Sequence, residues 1–252
     1  GWWLNFSQAI GMPAPNKRAR PADAGGVLLQ PAGPGVRYNV GHSLTPAMTA
    51  DPPSSVSIRV LTVNTHKGFT FFNRKFILHE LREAVRSVAA DLVFLQEVQG
   101  SHAKHPARYA AWPKSPHYEF LADQLWPEFA YGRNAVYPHG DHGNALLSKY
   151  PIVHHENRDV SVKGPERRGL LHCVLRVPEH HVDVHAICVH LGLQEAHRRK
   201  QLDLLCRLVN TEIPAGAPLL IAGDFNDWRG RAHRVLERCA GLREVFKHAH
   251  GR

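Results

Sequence analysis

The chain has 252 residues, 43% of them hydrophobic, which suffices for a sizeable core and excludes a wholly disordered or low-complexity class. Lys and Arg number 31 against 22 Asp and Glu, a formal charge of +9 with 19 His taken as neutral. A basic excess implies acidic partners (nucleic acid, phosphorylated ligands or an anionic membrane surface), and the lack of any run of 18 apolar residues excludes a membrane-spanning helix.

In chain order, an apolar opening stretch is followed by a Pro-, Ala- and Gly-biased segment carrying KRAR at 17–20. Neither a period of 2 nor one of 3.6 runs through it, so residues 1–55 are expected to be a disordered or linker-like segment and 56–252 the folded domain. The pattern changes at 58–63, IRVLTV, which reads as a β-branched strand. A helix is expected over 73–90, with Asn73 as N-cap and Ile77, Leu81, Val85 and Val88 at helical spacing. The continuous apolar run 91–95 reads as a strand buried on both faces, making a strand–helix–strand crossover. Further strands are expected at 129–137, 143–149, 168–177, 182–190 and 218–224, and helices at about 193–211 and 232–239. Many strands joined by short turns give an α+β fold with mixed sheets. Four cysteines without a CxxC pair are expected to be reduced and buried, an even count leaving two disulfides open.

Chemistry-bearing residues collect at strand ends. The first strand finishes at Asn64-Thr65-His66 and its parallel neighbour at Gln96-Glu97. An amide oxygen and a carboxylate are hard donors of the kind Mg²⁺ takes. Strand 182–190 ends in His190, and the apolar strand from 218 runs into Gly223-Asp224-Phe225-Asn226, where Asp224 and Asn226 share one face of an extended chain. Taken singly, each has an ordinary reading as a polar strand terminus or an Asx turn.

Together the strings VNTH, LQEV, CVHLG and GDFND resemble the endonuclease/exonuclease/phosphatase superfamily over roughly 57–247. GRNAVYP, GNALLSKYPI and ERRGLL make the likeness strongest to a bacterial branch. The resemblance implies a four-layer α/β/β/α sandwich of two mixed β-sheets. It also implies Mg²⁺-dependent (or Mn²⁺-dependent) hydrolysis of a phosphodiester or phosphomonoester in a nucleic acid, an inositol phosphate or a phospholipid headgroup. By that likeness Glu97 and Asn64 are the metal side, Asp224 orients the attacking water, and Asn226 and His190 hold the phosphate. Asn144, His66 and Arg168 (or its neighbour Arg167) are expected on the substrate side, since an arginine fork matches phosphate oxygens. The family pattern goes on to an Asp strand and a Ser-Asp-His strand, whereas this sequence stops at His250-Gly251-Arg252. The expectation is therefore a fold truncated at its C-terminus, with a bare sheet edge and little activity.

The alternative is a non-catalytic phosphate- or nucleic-acid-binding module that keeps the fold. The 99–117 segment, rich in His, Lys and aromatics, reads either as a stacking surface for a base or headgroup or as a floppy insertion; the 197–200 run HRRK reads as a solvated helix face. A monomer in the cytoplasm is expected, with peripheral membrane association left open.

Overall fold

The computed structural model of the chain describes residues 3–6, 25–30, 37–39, 57–70, 75–178, 182–227 and 229–244. The strands are β1 (Trp3–Phe6), β2 (Gly25–Gln30), β3 (Arg37–Asn39), β4 (Ser57–Asn64), β5 (Leu92–His102), β6 (Glu128–Tyr137), β7 (Gly140–Ser148), β8 (Ile152–Asp159), β9 (Gly169–Val177), β10 (Val182–His190), β11 (Leu219–Asp224) and β12 (Arg243–Glu244). The helices are α1 (Leu78–Val88), α2 (His105–Arg108), α3 (His117–Ala122), α4 (Glu195–Glu212) and α5 (Ala232–Ala240). Two six-stranded mixed sheets result, in the orders β3-β1-β4-β5-β7-β6 and β12-β2-β11-β10-β9-β8.

Side-chain alternation along the strands explains the layering. In β4, Ile58 and Val60 point one way and Leu61 and Val63 the other; in β5 the same split separates Leu92 and Phe94 from Val93 and Leu95. The first set meets Leu171, Leu175, Ala186 and Leu220 of the second sheet and forms the dry layer between sheets. The second set packs on Leu78, Leu81 and Val85 of α1 and Leu121 of α3. On the far side, Ile187, Val189 and Ile221 pack on Leu202, Leu205 and Leu208 in α4 and on Leu236 in α5. Helices on both outer faces of two stacked sheets make the four-layer α/β/β/α sandwich, an α+β fold as expected.

Two parallel pairs fix the functional edge. β4 pairs with β5 through the α1 crossover and β10 with β11 through α4. The C-terminal ends of β4, β10 and β11, carrying Asn64, His190 and Asp224, therefore reach the same side of the molecule, and β5 brings Glu97 there part-way along its length.

Several expectations change. Within 1–55 the structure has β1, β2 and β3, with β2 antiparallel to β11 and β1 parallel to β4. A composition averaged over the segment hides a six-residue apolar strand, GGVLLQ, that can satisfy its backbone along the side of β11. The outer sides of β4 and β11 are thus paired, not bare. α1 starts at Leu78 because Phe76 forms an antiparallel bridge with Phe69; the expected cap, Asn73, lies outside the described residues, as do the 17–20 patch and the residues after 244. β5 runs on to His102, and β8, an exposed edge strand of sequence IVHHENRD, has too little apolar alternation to be read as a strand. Cys206 and Cys239 form a disulfide between α4 and α5, against the expectation of four reduced thiols, while Cys173 and Cys188 are free and buried. Among the described residues no helix is long and apolar enough to cross a membrane.

Candidate active site

Glu97 sits at a β-bulge. The β5–β7 register shifts between Leu95 and Val98, and Glu97 takes a left-handed backbone, φ 50°. A bulge re-aims one side chain without ending the strand, and a non-glycine left-handed residue is strain of the kind that collects at functional sites. The carboxylate accepts a hydrogen bond from Lys67 Nζ at 3.0 Å and lies 3.8 Å from His66 Nδ1. Burial pushes its pKa up, but His66, Lys67 and His190 outweigh this and hold it well below the usual carboxylate range. His66 and Lys67 themselves form a tight left-handed turn, φ 45° and 58°, directly after β4.

Asn64 links the two sheets at this edge. Its Nδ2 donates to Asp224 Oδ2 at 3.3 Å, and its Oδ1 accepts from the His66 backbone N–H at 3.1 Å. Asp224 is delivered by Gly223, whose φ of 146° and whose missing Cβ, which would lie 2.0 Å from the Val189 carbonyl oxygen, let β11 press against β10. No side chain fits there. Asp224 Oδ1 accepts from the Asn226 backbone N–H at 2.9 Å, so the Asx turn is real and belongs to the site. Asn226, left-handed at φ 49° and buried, donates its Nδ2 to the Leu191 carbonyl at 2.8 Å.

His190 is the register partner of Asp224, with Nε2 3.9 Å from Oδ2. Burial first and the Arg168 charge next push its pKa down to about 4, so the ring is neutral at pH 7 and can donate one N–H. Arg168 donates Nε to the Leu191 carbonyl at 3.2 Å and lies 3.6 Å from Glu166.

The structure therefore brings together Asn64, His66, Glu97, Arg168, His190, Asp224 and Asn226. It does not bring Asn144 to open space: that residue is fully buried, donating Nδ2 to the Gly169 and Cys188 carbonyls. Asn144 clips β7 to the opposite sheet beneath the site. Arg167 is exposed, and its carbonyl accepts from Arg168 Nη1.

Two neighbours escape the sequence reading. Lys67 needs the left-handed turn to fold back onto Glu97. His142, just before the strand expected at 143–149, lies in β7, where burial and the charges of Lys67 and Arg168 push its pKa down to about 4. The only sequence signal for either is proximity to a motif.

The donor set suits a hard cation. Glu97 is ionised and already faces an ammonium, with the Asn64 amide beside it, and such oxygens with waters are what Mg²⁺ accepts. Among the described residues no three His, Cys, Asp or Glu side chains converge as in a closed transition-metal site.

Residues 61–244 match the sequence model of the Endonuclease/Exonuclease/phosphatase family. The chain is 59% identical over 202 residues to the "Uncharacterized protein YbhP" of Escherichia coli (strain K12), covering 80% of this chain and 79% of that one. An endonuclease/exonuclease/phosphatase from Beutenbergia cavernae DSM 12333 superposes with a TM-score of 0.53 at 25% identity, over 67% of this chain. The match spans only 47% of that solved chain, about half its length. The mannosyl-6-phosphatase Bt3783 of Bacteroides thetaiotaomicron VPI-5482 shares the fold, with a TM-score of 0.51 at 13% identity over 72% of this chain and 69% of that one.

Proposed function

This chain belongs to the endonuclease/exonuclease/phosphatase family, and on that footing we propose that it is a divalent-metal-dependent phosphoesterase. The observation that carries the reading is the convergence, across two sheets, of Asn64, Glu97, His190 and Asp224, joined by the Asn64–Asp224 hydrogen bond of 3.3 Å. Glu97 and Asn64 would hold Mg²⁺ or Mn²⁺, which when bound supplies positive charge to a phosphate oxygen. Asp224, accepting from Asn64 and from the Asn226 backbone, is oriented to hold or deprotonate a water. Neutral His190 offers an N–H to the charge that develops on phosphate, and Arg168 adds a fixed cation behind it. Asn226 ties the Leu191 carbonyl to the Asp224 turn and keeps a second amide hydrogen for substrate. His66 stands at the Glu97 side, open to solvent and within reach of a substrate group.

A second reading, a phosphate-binding module without turnover, is favoured by the Lys67 contact, which neutralises Glu97 without any metal. One experiment separates them. The protein is assayed on bis-p-nitrophenyl phosphate and p-nitrophenyl phosphate with Mg²⁺, Mn²⁺ or EDTA, beside Glu97→Gln. Metal-dependent turnover that Glu97→Gln abolishes supports the esterase. Turnover that survives EDTA removes the metal from the scheme, and phosphate binding without turnover leaves the binding module.

A further inference from the structure

Beyond the reaction edge, the 197–200 basic run does not behave as one solvated face. Arg198 is buried and donates Nη1 to the Gly192 carbonyl at 3.0 Å, bracing the loop after His190. Arg199 is exposed and lines a cleft of about 590 Å³ between α4 and α5. Arg198, Arg199, Arg229, Arg231, Arg234 and Arg238 line this cleft, against only three acidic side chains. One of the three, Asp227, is committed to the Ala232 backbone N–H at the start of α5. Another, Glu195, is shared among three arginines: Arg199 at 3.6 Å, Arg229 at 3.4 Å, and Arg231. One carboxylate cannot neutralise three guanidinium groups, so the cleft keeps an unbalanced positive charge. Leu202 and Val235 add apolar surface to its lining.

We infer that this cleft binds the phosphodiester backbone of a nucleic-acid strand. Planar, always-charged guanidinium groups match phosphate oxygens in pairs and stack on bases, and apolar patches between them accept a base face. A concave cationic cleft fits a narrow strand, whereas a bilayer surface calls for a flat or protruding face. The cleft adjoins the reaction edge on two sides: Asp227 follows Asn226 directly, and Arg198 holds the loop after His190. The claim concerns binding and stands apart from hydrolysis.

The test is fluorescence anisotropy of labelled single-stranded 12-mers, DNA and RNA, with the whole protein in EDTA, over a salt series. Wild type binds with a steep salt dependence. Arg199→Gln/Arg229→Gln/Arg234→Gln weakens binding at least about tenfold near 0.1 M salt, and the log–log salt slope loses about 2, given about 0.7 per phosphate contact on single strands. Glu195→Gln frees the three arginines and tightens binding about fivefold. The arginines are exposed, so the variants keep their circular dichroism, and the gain in Glu195→Gln tests the claim from the opposite side. Unchanged oligonucleotide binding in the triple variant overturns the inference. So does arginine-dependent binding to phosphatidylserine vesicles with none to either oligonucleotide, which would make this a membrane face. Because no turnover is read, failure here leaves the esterase reading standing, and loss of that reading leaves this measurement intact.

Discussion

Lys67 donates to Glu97 at 3.0 Å, so a divalent ion that takes up the Glu97 carboxylate has to displace an ammonium. Lys67→Met removes the competitor and should tighten Mn²⁺ binding several-fold, read by electron paramagnetic resonance titration of free Mn²⁺ without substrate. Weaker binding in that variant would show that Lys67 assists the metal instead. Asp224→Asn removes the group proposed to prepare the water, and kcat should fall on the order of 10²–10⁴. His190→Ala removes one preorganised donor, with a fall of roughly 10²–10³. If both variants keep most of the wild-type kcat, the assigned chemistry is wrong. Asn64, His190 and Asp224 are legible in the sequence because each closes an apolar strand at the sheet edge; Glu97 is legible from the apolar run before it, although a bulge, not a strand end, aims it. Lys67 and His142 are not, because their approach depends on a left-handed turn and a bulge, and neither has a period. Asn144, which in the sequence opens a strand instead of closing one, lies between the sheets, where its amide serves backbone carbonyls.

At the level of elements, period carried the reading as far as burial was one-sided or complete. The runs at 58–63, 182–190 and 218–224 became β4, β10 and β11 because each buries both faces, one on the opposite sheet and one on helices. β8 failed the same test since six of its eight residues read HHENRD and its outer side meets water. The 99–117 segment carries regular structure and packed rings of its own. It holds α2 and a ring cluster in which His102 stacks on His105 at 3.4 Å and Trp112 on Phe76 at 5.0 Å, so the faces are spent on one another. The α4–α5 pair adds a covalent link that no spacing rule predicts, since Cys206 and Cys239 lie 33 residues apart and meet only when both helices pack on the second sheet. Closing such a loop removes unfolded-chain entropy worth about 3–4 kcal/mol. Thiol titration of the denatured protein should therefore find two reactive cysteines before reduction and four after, and dithiothreitol should lower Tm by several degrees. Four thiols from the outset would remove the disulfide.

Across the whole molecule, the histidines set the acid limit. His117 is 1% exposed among Phe76 and Trp112, with no hydrogen-bond partner on either ring nitrogen among the described residues, and burial pushes its pKa down to about 3. His172 faces His185 with Nε2 to Nδ1 at 3.0 Å, and burial with that neighbour pushes its pKa down to about 4. His142 and His190 are pushed to about 4 as well. In the unfolded chain these rings titrate near about 6.5. Between that value and about 4 the unfolded state binds protons that the folded state refuses, so stability rises with pH and is lost as pH falls through this window. Each histidine contributes a slope of up to about 1.4 kcal/mol per pH unit. Carboxylates with depressed values, such as Glu97, act in the same direction, but their unfolded forms take up protons only within about one unit of 4.5 and below, so the upper part of the window, above about pH 5.5, belongs to the histidines. The urea midpoint should fall steeply over that interval. His117→Phe replaces an unpartnered polar ring by an apolar one of similar shape, and should flatten the slope by close to one proton while leaving the pH 7.5 midpoint equal or higher. A midpoint that stays level from pH 6.5 to 4.5 would mean the rings accept protons in place, and that the core around His117 and His172 opens to water more readily than its packing implies.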